Sequence, residues 1–162
     1  MRVNRATRIA AIEATAPDLL AYFKRRLPAE DAADAVGDVL TVAWRRIDQM
    51  PEDAHGSRLW LFGVARRILL QSFRSATRQT ELTARLRALA VESSAPADAG
   101  LAVRDALDRL TEEHAEVLRL VHWDGFTLTD AARHLGIGDS TVRSRYHRAK
   151  AALRAELGLH VG

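Results

Sequence analysis

Apolar positions recur at helical spacing along most of the chain. Leu19, Leu20, Phe23 and Leu27 fall at i, i+1, i+4 and i+8, marking the buried face of a first helix from about Ile9 to Leu27 that Pro28 closes. Val36, Val39, Leu40, Ala43, Ile47 and Met50 form one stripe of a second helix, from about Ala32 to Met50, and Trp44 widens it. Pro51 to Ser57 reads as a loop. A third helix, from Arg58 to about Thr77 or beyond, buries Leu61, Val64, Ala65, Ile68 and Leu69, with Phe62 and Phe73 on its shoulder. Gly and Pro punctuate rather than recur, and no segment sustains the two-residue alternation of a strand. The expected fold class is all-α.

After Leu89 the spacing fails. Glu92 to Gly100 is small, polar and slightly acidic, which is the composition of a linker. Periodicity resumes at Leu101, with one helix to about Leu110, another from about Glu112 to Trp123, and two more beyond. The expected organisation is two small helical domains, residues 1–90 and 101–162, joined by a flexible linker at 91–100.

Composition narrows the chemistry. The 162 residues are 48% hydrophobic and 28% charged, as in an ordinary globular protein. With no cysteine there is no disulfide, thiolate metal site or cysteine nucleophile, in agreement with a reducing compartment. Ala14-Thr15-Ala16 imitates a signal-peptidase site, but Glu13 interrupts the apolar stretch before it, and a signal needs a core of roughly 7–15 apolar residues. Leu59 to Ala65 and Ile68 to Leu70 are split by Arg66-Arg67 and fall far short of the ~20 residues that span a bilayer. A cytoplasmic location without membrane contact is expected.

The formal charge is only +3, yet it is sorted by segment. Glu30 to Asp53 carries seven acids (Glu30, Asp31, Asp34, Asp38, Asp48, Glu52 and Asp53) against Arg45 and Arg46. Arg58 to Arg87 carries seven arginines, at 58, 66, 67, 74, 78, 85 and 87, against Glu81. Two solvated faces that attract each other are one reading; a basic protein partner for one helix and a polyanion for the other is the sharper one. The three- and four-residue spacing of Asp31, Asp34 and Asp38 stacks them on one helix face away from the apolar stripe, which favours the second.

The strongest local signal is Thr127 to Arg143, which has the layout of a helix-turn-helix. Thr127 can cap a helix whose Asp130 answers it in a capping box, and Gly136 suits the left-handed residue after that helix. Ala131 and Ala132 allow a close crossing, while Leu135 and Ile137 supply an apolar hinge. Val142, Tyr146, Ala149 and Leu153 then face inward from the last helix. Outward stand Thr141, Arg143, Ser144, Arg145, His147, Arg148, Lys150 and Arg154, with no acid between Ser140 and Ala155. Short polar and arginine side chains of this kind suit base edges, and the further cations suit phosphates. A basic amphipathic helix on some other surface is the plainer alternative.

In this order the segments resemble the extracytoplasmic-function sigma factors, over roughly residues 9–157. Leu107-Asp108-Arg109-Leu110-Thr111, then Val117-Leu118 and Gly125-Phe126-Thr127, look like that family's lead-in to its helix-turn-helix, and Thr141 to Arg145 with Arg148-Ala149 match its recognition helix. Asp34 to Val39 with Ala43-Trp44-Arg45 resembles its polymerase-binding helix, and Trp60-Leu61 with Val64-Ala65-Arg66 its promoter-melting helix. Gly37 departs from the usual glutamine, Arg67 from a frequent asparagine, and Gln71 from a frequent aspartate.

The resemblance implies a non-enzymatic initiation factor without cofactor or metal. Its partners would be core RNA polymerase, through clamp and flap surfaces, and promoter DNA, both double-stranded and melted. Asp31, Asp34, Asp38 and Arg45 would meet polymerase, with Trp44 packed inside the lobe. Arg66, Arg67 and Arg74 would hold the strand backbone of the minus-ten element; Asp53, His55, Ser57 and Trp60 would form or border a pocket for an extruded base. Arg143, Ser144, His147 and Arg148 would face minus-thirty-five bases with Thr141 beside them, and Thr127, Arg145 and Lys150 would face phosphates. An anti-sigma protein is a common further partner in the family.

Two other classes compete with this reading. A stand-alone helix-turn-helix regulator would bind an operator without polymerase, which the acidic helix beside an arginine-rich one argues against. A helical enzyme is disfavoured, because His55, His114, His122, His134, His147 and His160 form no metal-ligand pair and no Ser or Thr sits in a nucleophile motif.

Overall fold

A computed structural model describes residues 2–77 and 99–158, and the chain divides into two compact units, Met1–Leu86 and Arg87–Gly162. Among the described residues there are helices and turns but no strand. The first unit holds α1 (Arg2–Lys24), α2 (Ala29–Arg45), a 3₁₀ turn (Ile47–Gln49) and α3 (Ala54–Thr77). The second holds α4 (Ala99–Arg109), α5 (Glu112–His122), α6 (Leu128–Leu135) and α7 (Asp139–Glu156).

Helix α1 begins at Arg2 rather than near Ile9. Its added turns are polar, so apolar spacing could not reveal them, and they are held by partners elsewhere in the chain: Asn4 Nδ2 donates to Glu52 Oε1 at 2.7 Å, and the Arg5 guanidinium lies 5.4 Å from the centre of the Trp44 ring. At the other end α1 stops at Lys24, where Phe23 O accepts from both Arg26 N–H at 2.9 Å and Leu27 N–H at 2.7 Å.

Helix α2 ends at Arg45, earlier than the apolar stripe suggested. The 3₁₀ turn then carries the chain on so that Ile47 and Met50 both reach the core. Trp44 differs more sharply from expectation. It is 56% exposed and does not pack inside the unit. The buried stripe of α2 is Ala32, Ala35, Val39 and Ala43, so α2 meets its neighbours mostly through alanines, and Trp44, one position beyond the stripe, is turned out to solvent beneath Arg5.

The expected loop at 51–57 is shorter than read, because α3 already begins at Ala54. Asp53 starts it: its Oδ2 accepts from Gly56 N–H at 2.6 Å and its carbonyl accepts from Ser57 N–H at 2.9 Å, the pattern of a helix N-cap. The cap fits closely around Gly56, where an added Cβ would lie 2.6 Å from Asp53 Oδ1 and 2.9 Å from Pro51 Cβ.

The first core centres on three rings. Tyr22, Phe23 and Phe62 are fully buried, with Tyr22 edge-on to Phe23 at 5.4 Å and to Phe62 at 5.3 Å. Phe62 is thus central rather than on a shoulder, while Leu20, Leu27 and Ile68 are half-buried. Arginines cover the rim, Arg26 at 3.8 Å over Tyr22 and Arg58 at 4.7 Å over Phe62, and Arg58 also ties α3 to α1 through Asp18 at 2.6 Å.

The second core is built from Ala106, Leu107, Ala115, Val117, Leu118, Leu120, Phe126, Ala131, Ala132, Val142 and Ala149. Of the expected linker, residues 91–98 lie outside the described residues, and Ala99 and Gly100 belong to the first turn of α4. Arg78, Glu81, Arg85, Arg87 and His160 also lie outside them. Among the described residues no helix is long and apolar enough to cross a membrane.

Candidate nucleic-acid interface

The helix-turn-helix is set by its two ends. Thr127 adopts extended backbone and its hydroxyl accepts from Asp130 N–H at 3.1 Å, opening α6. At the far end Gly136 takes φ of 70°, its N–H reaches Arg133 O at 3.2 Å, and Ile137 N–H reaches Ala132 O at 3.0 Å. That pair of bonds is a Schellman closure, which turns the chain sharply into α7. Ala131 and Ala132 are buried against the turn, so α6 and α7 can cross with little side chain between them.

Helix α7 is fully buried only at Val142 and Ala149, leaving most of its circumference outside. By helical spacing Thr141, Arg145 and Arg148 form one stripe, and Arg143, His147, Lys150 and Arg154 a second on the other flank of the exposed arc. Between them run the exposed small residues Ser140, Ser144 and Ala151. A low crest bordered by two cationic rows is a shape that can enter a groove whose walls are phosphates. Glu113, His114, Ser140, Thr141, Ser144, Arg145 and Arg148 line a groove between the starts of α5 and α7.

The individual side chains differ in freedom. Thr141, Arg143, Ser144, His147 and Arg148 are exposed. Arg145 is partly covered and its Nη2 lies 3.8 Å from Glu113 Oε2. Lys150 Nζ sits 4.6 Å over the Tyr146 ring, and the Tyr146 hydroxyl is 2.9 Å from His122 Nε2. Glu113 and His122 lie on α5, and nothing in linear spacing joins them to the α7 side chains they meet; Tyr146 was read as an inward residue of α7, without its contacts to His122 and Lys150. Thr127 spends its acceptor on the cap and keeps a hydroxyl proton to donate.

In the first unit Asp34, Asp38 and Arg45 are exposed on α2 and Asp31 is half-buried in its first turn. On α3, Arg67 and Arg74 are exposed seven residues apart and Arg66 is half-buried, while Trp60 lies half-buried on the stripe of Arg67 and Arg74. His55 is exposed. Two of the residues proposed for a base pocket have structural duties. Asp53 caps α3, and Ser57 is fully buried with its hydroxyl donating to Pro51 O at 2.7 Å, so Ser57 cannot line a surface pocket in this conformation. Among the described residues no group of three His, Asp or Glu side chains could hold a metal ion.

Residues 100–153 match the family model described as Sigma-70, region 4. The ECF RNA polymerase sigma factor SigL of Mycobacterium tuberculosis is 33% identical over 134 residues, covering 80% of this chain and 76% of SigL. The ECF RNA polymerase sigma factor EcfG of Rhodopseudomonas palustris is 34% identical over 134 residues, covering 80% of this chain and 72% of EcfG. The sigma factor RpoE from Bartonella quintana, solved in complex with the anti-sigma factor NepR, shares the fold, with a TM-score of 0.64 and 23% identity over 94% of this chain and 95% of that one.

Removing the α6 cap tests how far the interface depends on it. Thr127→Ala is expected to cost about 1 kcal/mol of second-unit stability in a denaturant titration, and Thr127→Ser, which keeps the oxygen, to cost little.

Proposed function

The chain belongs to the ECF RNA polymerase sigma factors, and from that premise we propose how its two units divide the work of starting transcription at chosen promoters. The observation that carries the reading is the exposed surface of α7 from Ser140 to Ala155, which bears no acid, within a helix whose start lies in the stretch that matches Sigma-70 region 4. In this reading residues 1–90 bind core RNA polymerase and the minus-ten element, 91–100 form the connection, and 101–162 read the minus-thirty-five element. The protein acts in the cytoplasm and catalyses no reaction itself; the polymerase does the chemistry.

On α7, Arg143, Ser144, His147 and Arg148 face base edges, with Thr141 at the start of the same surface. Thr127 donates to phosphate from the cap, and Arg145 and Lys150 add cations whose positions are limited by Glu113 and by the Tyr146 ring. On α2, Asp31, Asp34, Asp38 and Arg45 meet the polymerase clamp, with attraction between acidic and basic surfaces guiding the encounter. On α3, Arg66, Arg67 and Arg74 follow the backbone of the separated strand, while His55 and Trp60 border the base pocket. Asp53 and Ser57 contribute to that pocket by fixing the start of α3. RpoE of Bartonella quintana is bound by an anti-sigma factor, and a protein of that kind that covers both units would silence this one.

Run-off transcription from genomic DNA with core polymerase and this protein is expected to yield discrete start sites preceded by two shared sequence blocks. A protein that protects an operator from cleavage without polymerase, and gives no start sites with it, would instead be a stand-alone regulator.

Arg143→Ala and Arg148→Ala are each expected to lose roughly 1–3 kcal/mol of discrimination at particular base pairs. Equal losses on scrambled promoters would assign those arginines to phosphates alone. Asp34→Arg with Asp38→Arg is expected to abolish co-purification with core polymerase while the second unit keeps its fold; undiminished co-purification counts against the clamp assignment.

A further inference from the structure

The start of α1 touches the loop that precedes α3. Asn4 Nδ2 donates to Glu52 Oε1 at 2.7 Å, and Arg8 Nη2 lies 3.8 Å from the same oxygen. The two partners are unequally placed. The Arg8 side chain is 14% exposed and its buried Nε has no hydrogen-bond partner, whereas Glu52 is 62% exposed. A guanidinium that has given up most of its water depends on a nearby anion, so a loop movement that carries Glu52 away leaves a poorly solvated charge behind. The contact therefore resists displacement more than an exposed ion pair of the same length.

Glu52 lies between two fixed points. Pro51 O accepts the buried Ser57 hydroxyl at 2.7 Å, and Asp53 caps α3 through Gly56 N–H at 2.6 Å. Those bonds tie the loop to α3. The Glu52 contacts link it to α1. Glu52, though largely exposed, turns its carboxylate to Asn4 and Arg8, and so anchors to α1 the head of the run Asp53 to Ser57 that the cap bonds hold to α3.

We infer that Asn4 and Arg8, through Glu52, are positioning residues for minus-ten recognition: they hold the loop before α3 in the shape that receives an extruded base. The inference rests on the proposed role of that loop. It adds a determinant of promoter choice in the first turns of α1, far in sequence from α3. A preformed pocket spends less ordering entropy when a base enters, so the preference among bases is sharper than with a loose loop.

The test uses the full chain with bacterial core polymerase on a promoter library randomised through both elements, with transcripts sequenced. The unaltered protein is expected to enrich a minus-thirty-five block and a minus-ten block. Asn4→Ala and Glu52→Ala are each expected to keep the first block, while preference at the most constrained minus-ten position falls roughly tenfold, the scale of one lost charge-assisted hydrogen bond. Glu52→Gln keeps the acceptor for Asn4 and is expected to lose less. In the free protein, amide exchange at Gly56 and Ser57 should quicken in both alanine variants while the centres of α2 and α3 stay protected.

Unchanged minus-ten stringency in both alanine variants overturns the inference. So does a loss confined to Glu52→Ala, because Glu52 would then meet DNA itself. Loss of both blocks together with protection throughout the first unit also overturns it, since that marks general destabilisation. If the unaltered protein enriches no minus-ten block, the proposed role of the loop fails, and the inference falls with it.

Discussion

A helix that must offer a wide surface to a partner can give only a narrow stripe to its own core. Helix α7 meets this limit at Val142 and Ala149, its two fully buried positions in 18 residues. Helix α2 meets it with Ala32, Ala35, Val39 and Ala43. Small buried side chains remove little apolar area from water, at about 25 cal/mol per Å², so neither helix can be held by burial alone. Other contacts make up the difference. For α7 these are the Schellman closure ahead of it, the Arg145 to Glu113 pair, and the Lys150, Tyr146 and His122 contacts along its flank. The one ion pair among them, with Glu113 largely exposed, is worth little, which places most of the positional control in the turn and the close alanine crossing.

The same limit explains how a net charge of +3 hides its parts. Where the inward face of a helix is narrow, charge on the outward face can be of one sign for several turns without entering the core. Acids gather on the exposed side of α2 and arginines on α3, while α7 carries basic residues alone from Arg143 to Arg154. Like charges so arranged repel each other in the free protein. An oppositely charged partner relieves that repulsion, which is the arrangement that the binding roles proposed for these helices require.

How much was legible in the sequence follows from what each feature depends on. The turn of the helix-turn-helix could be read locally, because a cap at Thr127, small residues at 131 and 132 and a glycine at 136 are requirements met at those positions themselves. The all-α class followed equally from periodicity. The first turns of α1 were invisible because they carry no apolar stripe and are held by Glu52 and Trp44, residues distant in the chain. Trp44 and Phe62 were misplaced for a related reason: spacing says which residues share a face, but not how much room the neighbouring helix leaves there. The early start of α3 had a signal in Asp53 ahead of a helical run, and it was masked by Pro51 and Gly56, which read as loop residues until the cap geometry shows why a glycine is needed.

Gly37 presents the opposite case. It lies exposed in the middle of α2 with nothing within 4 Å of where a Cβ would stand, so packing does not require a glycine. Its presence costs about 1 kcal/mol of helix propensity relative to alanine. Thr41 adds a second local weakness, since its hydroxyl donates back to Gly37 O at 2.9 Å, a bond that competes weakly with the helical pattern. The alanines of α2 favour the helix, and its docking against α1 and α3 helps to offset these two local weaknesses. Asp34 and Asp38 flank this weak turn, and their spacing is only as firm as the alanine stripe beneath them.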